Sequence, residues 1–204
     1  MSLRNHLIIF AKSPRLGTVK SRLARDIGWA AATGFYRRTL RDTVRKLSRD
    51  ARWLTCLAVT PDRDVWNRGL WPRGIPRMTQ GSGDLGDRMA RLAAAPPPGP
   101  VVIVGTDIPA LNADHVARAF DALGNHDMTF GPASDGGYYL VGFRRRPAMP
   151  DAFFKVRWST PHALADTLAS LPPGTTVAMG DVLSDVDDGT AFDAWRRSAG
   201  LNSP

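Results

Sequence analysis

The sequence predicts a layered α/β fold. Segments typical of strands alternate with segments typical of helices along the 204 residues, a pattern that indicates helices packed on a sheet. The runs HLIIFAK and PVVIVGTD are apolar at nearly every position, as expected of strands covered on both faces. Neither a repeat nor a long linker interrupts this pattern, so we expect a single domain over residues 1–204.

The first half of the chain is predicted to contain three strands and three helices. Leu23 and Ile27 lie four residues apart and share one face of the first helix. The three prolines at 96–98 end the third helix, because proline cannot continue it. The predicted elements are a strand at 6–12, helices at 17–27 and about 30–47, a strand at 51–60, a polar connection at 61–74, a strand at 75–80 and a helix at 83–95.

The second half continues the alternation. Asn112 or Asp114 is expected to cap one helix, and Ser159 is expected to cap another, with Pro161 in its first turn. The predicted elements are a strand at 100–107, a helix at 113–123, strands at 126–133 and 137–143, a helix at 159–171, a strand at 175–180 and a helix near the C-terminus.

Composition restricts the class of protein. The net charge of +8 would suit nucleic acid, anionic lipid or a phosphorylated small molecule, but no nucleic-acid-binding signature is present, so we expect no nucleic-acid partner. No run of about 18 apolar residues predicts a membrane span, and the apolar run LIIFA is too short for a signal peptide. We therefore expect a cytoplasmic protein without a membrane partner, in which the single cysteine, Cys56, is a small buried residue on a strand.

The connection after the first strand is rich in cations. Ligands of parallel α/β sheets bind outside the carboxyl ends of the strands. This connection places four cations there and a glycine that lets the backbone turn, which indicates a site for an oligophosphate; a basic surface loop is the alternative. The candidate phosphate-binding residues are Lys12, Arg15, Gly17, Lys20 and Arg22.

A second candidate nucleotide-binding segment precedes the third helix. Gly83 and Asp84 lie at the start of that helix, and Arg88 lies in its first turns, where it could reach the same crevice. A capped helix start with Asp84 as the N-cap explains this segment equally well.

Carboxylates follow two later elements. Asp107 ends an apolar strand, and Mg²⁺ or Mn²⁺ held by one or two carboxylates and substrate phosphates would account for its position; a turn cap is the alternative. Asp185, Asp187 or Asp188 could supply a second carboxylate, although Asp188 or Thr190 could instead cap the terminal helix.

The loop SDGG separates two predicted strands. Asp135 could bind or deprotonate an acceptor hydroxyl, and Gly136 and Gly137 are candidate residues for binding the nucleotide or its phosphates. A hairpin turn without a function is the alternative reading of this Asp-Gly pair. Tyr138 or Tyr139 could stack on a ring, although strand alternation allows only one of them to face the crevice.

Taken together, these segments resemble a family of bacterial proteins in the nucleotide-diphospho-sugar transferase superfamily, which has the GT-A fold. Some members are identified as glycosyltransferases of the arsenosugar type, and molybdopterin and phospholactate guanylyltransferases are more distant relatives. The resemblance covers about residues 6–195 and rests on six segments in order: FAKSPRLGTVKSRLA, QGSGDLGDRM, GTDIPALNADHVARAFDAL, GPASDGGYYLVGF, WSTPHAL and DVDDGTAFDAW.

The resemblance implies a three-layer αβα sandwich with a Rossmann-like, mostly parallel mixed sheet. It implies that the nucleotide lies across the carboxyl ends of the first strands, that Asp107 binds the metal, and that Asp187 falls where relatives place a second carboxylate. Two departures are evident. Gly189 interrupts the usual DVDTPED-like segment, which leaves the choice between Asp185 and Asp187 open, and GTD carries only the last carboxylate of a DxD motif.

The function we expect is that of a metal-dependent transferase with a nucleotide-activated donor, a small-molecule acceptor, and Asp107 and Asp135 as catalytic residues. Transfer from a nucleotide-sugar is favoured. The alternatives are a nucleotidyltransferase that acts on an NTP and a phosphorylated acceptor, and a non-catalytic sugar-nucleotide binder. The sequence specifies neither base, sugar, acceptor nor oligomeric state.

Overall fold

A single β-sheet forms the centre of the protein. The computed structural model describes residues 3–146 and 148–200, so residues 1–2, 147 and 201–204 of the predicted domain lie outside the described residues. Within the described residues the strands are β1 (Asn5–Lys12), β2 (Trp53–Thr60), β3 (Arg77–Thr79), β4 (Val101–Val104), β5 (Met128–Pro132), β6 (Tyr138–Phe143) and β7 (Val177–Met179).

Helices occupy most of the connections between the strands. A single 3₁₀ turn, Asp62–Asp64, interrupts the polar connection after β2. Over the same described residues the α-helices are α1 (Ser21–Ile27), α2 (Trp29–Ser48), α3 (Leu85–Ala94), α4 (Ala113–Ala122), α5 (Ala163–Ala169) and α6 (Gly189–Ser198).

The sheet is mixed but mostly parallel. Its strand order is β3-β2-β1-β4-β6-β5-β7. The strand β6 runs antiparallel to both of its neighbours, β4 and β5, whereas every other neighbouring pair is parallel. The carboxyl ends of all strands except β6 therefore lie at one edge of the sheet, where β6 begins.

Apolar side chains cover both faces of the sheet, which confirms the three-layer αβα arrangement. Alternate residues of β1 point to opposite faces: Leu7 joins a cluster with Leu40 of α2 and Val116 of α4. Its neighbour Ile8 joins the opposite cluster, with Met89 of α3. Helix α5 packs on the same face as α3.

A third, smaller cluster attaches the C-terminal helix to the N-terminal helices. The Phe35 ring of α2 meets Phe192 and Trp195 of α6, with ring centroids 5.5 and 4.8 Å apart. Leu23 of α1 and Val186, just before α6, are buried in the same cluster. The segment that carries the late aspartates is thereby held against the helices that follow β1.

Two sequence-based expectations about element ends are wrong. Ser159 does not cap α5: its φ of 60° is left-handed, whereas an N-cap residue is normally extended, and α5 begins only at Ala163. Strand β4 ends at Val104, so Asp107 lies in the turn beyond the strand and not at its tip.

Other local predictions are confirmed. Asn112 caps α4 through its side-chain oxygen, which accepts from two backbone N–H groups. Cys56 lies on β2 as predicted, although it is only partly buried and not fully buried as expected. Of the helices that the structure describes, none has the length and apolar character needed to cross a bilayer.

Candidate active site

A cleft of about 420 Å³ opens at the carboxyl edge of the sheet. The turn after β4, the 133–137 loop between β5 and β6, the start of α3 and the segment before α5 form its walls, and the acidic segment before α6 completes it. It is lined by Phe10, Arg22, Leu85, Met89, Ile103, Val104, Gly105, Asp107, Ile108, Ala133, Asp135, Gly137, Tyr138, Tyr139, Leu140, Val141, Trp158, Ser159, Thr160, Ala163, Asp185 and Asp187.

Lys20 joins the cationic connection after β1 to the carboxylates of the cleft. Its Nζ lies 2.6 Å from Oδ1 of Asp187 and 3.2 Å from Oδ1 of Asp107, and its side chain is 5% exposed. The backbone at Lys20 is left-handed, with φ 51° and ψ 48°. The structure thus brings together residues that are 87 and 167 positions away from Lys20 in the sequence.

The charges of this cluster shift one another's ionisation. Burial acts to lower the pKa of Lys20, but Asp107 and Asp187 outweigh it and raise that pKa. Burial likewise acts to raise the pKa of Asp187, yet the Lys20 ammonium holds it below its ordinary value. Burial first, and then the carboxylates of Asp187 and Asp135, raise the pKa of Asp185 to about 6.

The carboxylates suit a divalent cation that also binds substrate phosphates. Asp107 and Asp187 already contact one shared cation, the Lys20 ammonium. Among the described residues no group of three or more His, Cys, Asp or Glu side chains is arranged to hold a metal. Mg²⁺ commonly binds through one or two carboxylates and phosphate oxygens, so this pair fits an ion whose remaining ligands come from a nucleotide. The shared contact with Lys20 favours Asp187 over Asp185 as the second metal ligand beside Asp107.

The other predicted phosphate-binding residues do not form one cluster as Lys20 and its two carboxylate partners do. Arg15 forms a two-fold ion pair with Asp64, at 2.9 and 2.6 Å, and this pair lowers the pKa of Asp64 to about 2. Arg22 lines the cleft, 4.0 Å from Asp187. Gly17 has a φ of 78°, which favours glycine.

Lys12 has an exposed side chain at the end of β1, and its backbone is fixed by a tyrosine that the sequence did not single out. The hydroxyl of Tyr36 accepts from the Lys12 N–H at 2.9 Å and donates to its carbonyl at 3.0 Å. Tyr36 is 3% exposed. Its position in α2 matches the apolar helix pattern, so periodicity alone could not separate it from the core.

The segment before α3 is a capped helix start. Asp84 accepts from the Asp87 N–H at 2.9 Å, and the Asp87 side chain accepts from the Asp84 N–H. Arg88 donates to the Gly83 carbonyl at 3.0 Å. Gly83, Asp84 and Arg88 do not line the cleft, so their part in nucleotide binding stays a prediction.

The 133–137 loop places Asp135 in the cleft. Its Oδ1 accepts from the Gly137 N–H at 2.9 Å, and Asp135 itself is exposed. Gly136 has a φ of 86°, and a β-carbon there would lie 2.1 Å from the Pro161 carbonyl oxygen. Only glycine therefore lets this loop pack against the segment before α5.

The cleft has an apolar wall, of which only the tyrosines were singled out in the sequence. Tyr138 meets Trp158 in an edge-on contact, with ring centroids 6.4 Å apart, and Phe10 and Met89 lie beside them. Both tyrosines of the GYYLVGF strand line the cleft, so the expectation that only one of them faces it is wrong. Tyr139 also donates to the Asp181 carbonyl at 3.1 Å. These residues look like ordinary core positions until the fold brings them to one cavity.

Residues 43–160 match the family described as "Uncharacterized protein conserved in bacteria (DUF2064)". No curated protein matches the chain. The chain is similar to a protein from Desulfovibrio desulfuricans G20 that is provisionally called a nucleotide-diphospho-sugar transferase: identity is 29%, coverage is 99% of this chain and 90% of that one, and the TM-score is 0.85. The predicted superfamily and fold are thereby confirmed.

Two more distant structures share the fold alone. The 4-diphosphocytidyl-2C-methyl-D-erythritol synthase of Anaerococcus prevotii is 12% identical, with a TM-score of 0.58 and coverage of 97% of this chain and 99% of that one. Glucosyl-3-phosphoglycerate synthase of Mycobacterium tuberculosis, in complex with Mn²⁺, UDP and glucosyl-3-phosphoglycerate, is 10% identical, with a TM-score of 0.53 and coverage of 90% and 71%.

Proposed function

We propose that this chain, which belongs to the bacterial family DUF2064, is a metal-dependent transferase that moves a sugar from a nucleotide-activated donor to a small-molecule acceptor. The observation that carries the proposal is the contact of one buried lysine with two carboxylates at the carboxyl edge of the sheet. Carboxylates in such an arrangement can bind a divalent ion together with substrate phosphates, and they lie at the place where α/β sheets bind ligands.

The cations of the connection after β1 would hold the donor. Lys20 contacts two carboxylates, and Arg22, with 72% of its side chain exposed, lies 4.0 Å from one of them, Asp187. Arg15 is committed to Asp64, so its main effect would be to hold the shape of the connection. Lys12 has its backbone fixed and its side chain free to reach a phosphate.

Mg²⁺ or Mn²⁺ would be held by Asp107 and Asp187 together with donor phosphates. When bound, the ion neutralises the negative charge that develops on the departing diphosphate. Lys20 adds a fixed positive charge at the same place, and such preorganised charge is usually the largest contribution to catalysis. The manganese-containing structure with the same fold supports the choice of ion.

Asp135 would bind the acceptor. One of its oxygens, Oδ1, is occupied by the Gly137 N–H, which orients the carboxylate and leaves Oδ2 for an acceptor hydroxyl. From that position Asp135 can accept the hydroxyl proton as the new bond forms.

A thermal-shift screen of UDP- and GDP-sugars with and without Mn²⁺ tests the proposal. A donor at a hundred times its dissociation constant is expected to stabilise the fold by about 2.7 kcal/mol, only when Mn²⁺ is present. The shift is expected to vanish in Asp107→Ala and to persist in the control Asp151→Asn, which removes a charge from an exposed loop.

Turnover assays with the donors that bind then decide the reaction. Sugar transfer should release a nucleoside diphosphate. Release of pyrophosphate from an NTP that depends on a phosphorylated acceptor would instead identify nucleotidyl transfer, and binding without any turnover would identify a sugar-nucleotide binder.

A further inference from the structure

The charges of the cleft are mostly negative. Its lining carries four carboxylates, and Arg22 is the one cationic side chain among the lining residues that the structure describes. Lys20 lies beneath two of the carboxylates, with 5% of its side chain exposed. Both cations contact Asp187, so all the positive charge of the cleft is gathered at the position proposed for the donor diphosphate. The carboxylates are Asp107, Asp135, Asp185 and Asp187.

The remainder of the cleft is apolar and aromatic. Leu85 keeps 40% of its surface exposed although it begins a helix beside the cavity. Tyr138 and Trp158 form an edge-on pair on the wall, and Met89 packs in the same cluster. The polar groups of the segment before α5 that reach the cleft, Ser159 and Thr160, are neutral hydroxyls. No described side chain on this part of the lining carries a positive charge.

We propose that the acceptor is an uncharged hydroxyl compound with an apolar or sugar-ring face, and that the cleft excludes phosphorylated acceptors. This inference rests on the proposed function. A phosphomonoester would bring a second polyanion into a cleft whose two cations are already needed by the donor, and close to Asp135 and Asp185. Anions brought together in a partly enclosed cleft repel each other unless a cation compensates them.

Neutral acceptors have favourable partners instead. Sugar rings and alkyl or aryl groups can bury apolar surface on the Tyr138–Trp158 wall, while one hydroxyl meets Oδ2 of Asp135. In the transfer step the acceptor oxygen bonds to the anomeric carbon as the bond from that carbon to the diphosphate oxygen breaks. The acceptor proton passes to Asp135, and the diphosphate leaves with the bonding electron pair.

A matched pair of probes tests the inference directly. 4-Nitrophenyl β-D-glucopyranoside and its 6-phosphate differ by one phosphate. We would measure by calorimetry the binding of each to the full chain saturated with UDP and Mn²⁺, at constant ionic strength. The neutral glucoside is expected to bind at least tenfold more tightly. Equal or tighter binding of the phosphate, or no binding of the neutral glucoside, would overturn the inference.

A charge insertion gives an independent check. Leu85→Lys places a cation at the apolar part of the cleft and is expected to reduce the preference for the neutral probe at least threefold. Leu54→Lys adds the same charge on β2, where Leu54 is 51% exposed and outside the cleft, and is expected to leave the preference unchanged. A ratio that changes equally in both variants, or in neither, would contradict the assignment of the acceptor to this wall.

The two proposals fail in different ways. If neither UDP nor any sugar nucleotide binds with Mn²⁺, the proposed function itself fails. If the nucleotide binds but the phosphorylated probe is preferred, the nucleotide site stands and only the acceptor class is wrong, in favour of chemistry that uses a phosphorylated acceptor.

Discussion

Replacement of Lys20 by methionine tests the charge cluster on which the proposed function rests. Methionine keeps most of the length of the side chain and removes the ammonium. The left-handed backbone at this position is equally unfavourable for both residues, so the strain cancels in the comparison. What changes is that Asp107 and Asp187 lose the cation they share.

The burial of these side chains determines how much stability Lys20→Met is expected to lose. Removal of one partner from a buried ion pair typically costs ~3–5 kcal/mol. Here the two carboxylates remain 56% and 39% exposed, so water screens part of their repulsion. We therefore expect a loss of about 2 kcal/mol, which lowers the Tm by about 4–8 °C in a chain of this size.

The response to metal separates this explanation from a simple packing defect. Without the ammonium, the two carboxylates are free to bind a divalent ion, so Mn²⁺ should stabilise Lys20→Met more than it stabilises the natural protein. A tenfold gain in Mn²⁺ affinity corresponds to about 1.4 kcal/mol. Tm values recorded against Mn²⁺ concentration, with EDTA-treated samples as the reference, measure this difference.

Arg22→Met is the matched control, because it removes a positive charge from the same cluster at a side chain that is 72% exposed and 4.0 Å from Asp187. Its expected cost is below about 0.5 kcal/mol. A Lys20→Met protein as stable as the natural one, or one whose Tm responds to Mn²⁺ no more than the natural protein's, would refute the reasoning.

Three further predictions concern single side chains. Asp107→Asn should lower the transfer rate at saturating Mn²⁺ by about 10²–10³-fold without loss of helical circular dichroism; an undiminished rate would exclude a catalytic role. Tyr36→Phe should reduce the free energy of unfolding in urea by about 1–3 kcal/mol, because it removes two part-buried hydrogen bonds, to the N–H and the carbonyl of Lys12; an unchanged urea midpoint would contradict this. Since Arg15 lowers the pKa of Asp64 to about 2 from its ordinary 3.8, this carboxylate stabilises the fold above about pH 4, and the contribution is lost as the pH falls through about 2. The difference in the free energy of unfolding between the natural protein and Asp64→Asn should therefore be constant from neutral pH to about pH 4 and decrease towards zero at lower pH. A difference that persists at about pH 2 would be evidence against the Arg15–Asp64 ion pair.

The order of elements could be predicted from the sequence because patterns that depend on local residues decide it. Continuous apolar runs predicted β1 and β4, and the Asn112 cap predicted the start of α4. The end of β4 and the start of α5 were misplaced because tertiary contacts decide them. The β4–β6 pairing stops at Val104, and the chain before α5 turns through the left-handed Ser159.

The residue types of the candidate site could be predicted from the sequence, but the ion pairs that its side chains form could not. Asp107, Asp135 and Asp187 do line one cleft. Arg15, however, was expected to hold phosphate, and its bond to Asp64 joins residues 49 positions apart. No periodicity in a single sequence encodes such a contact. For the same reason, the sequence did not predict that Lys20 is buried between its two carboxylates.

The attachment of α6 to Phe35 has a consequence for the order in which the site is completed during synthesis. Asp187 lies just before the helix whose Phe192 and Trp195 anchor it, and the Gly189 N–H donates to Asp26 at 2.7 Å. In a nascent chain still held in the ribosome at α6, the seven strands of the described residues have been synthesised, but the contacts that bring Asp187 to Lys20 are missing. The proposed site is therefore completed only when α6 packs on Phe35, which requires a segment synthesised after every strand of the described sheet.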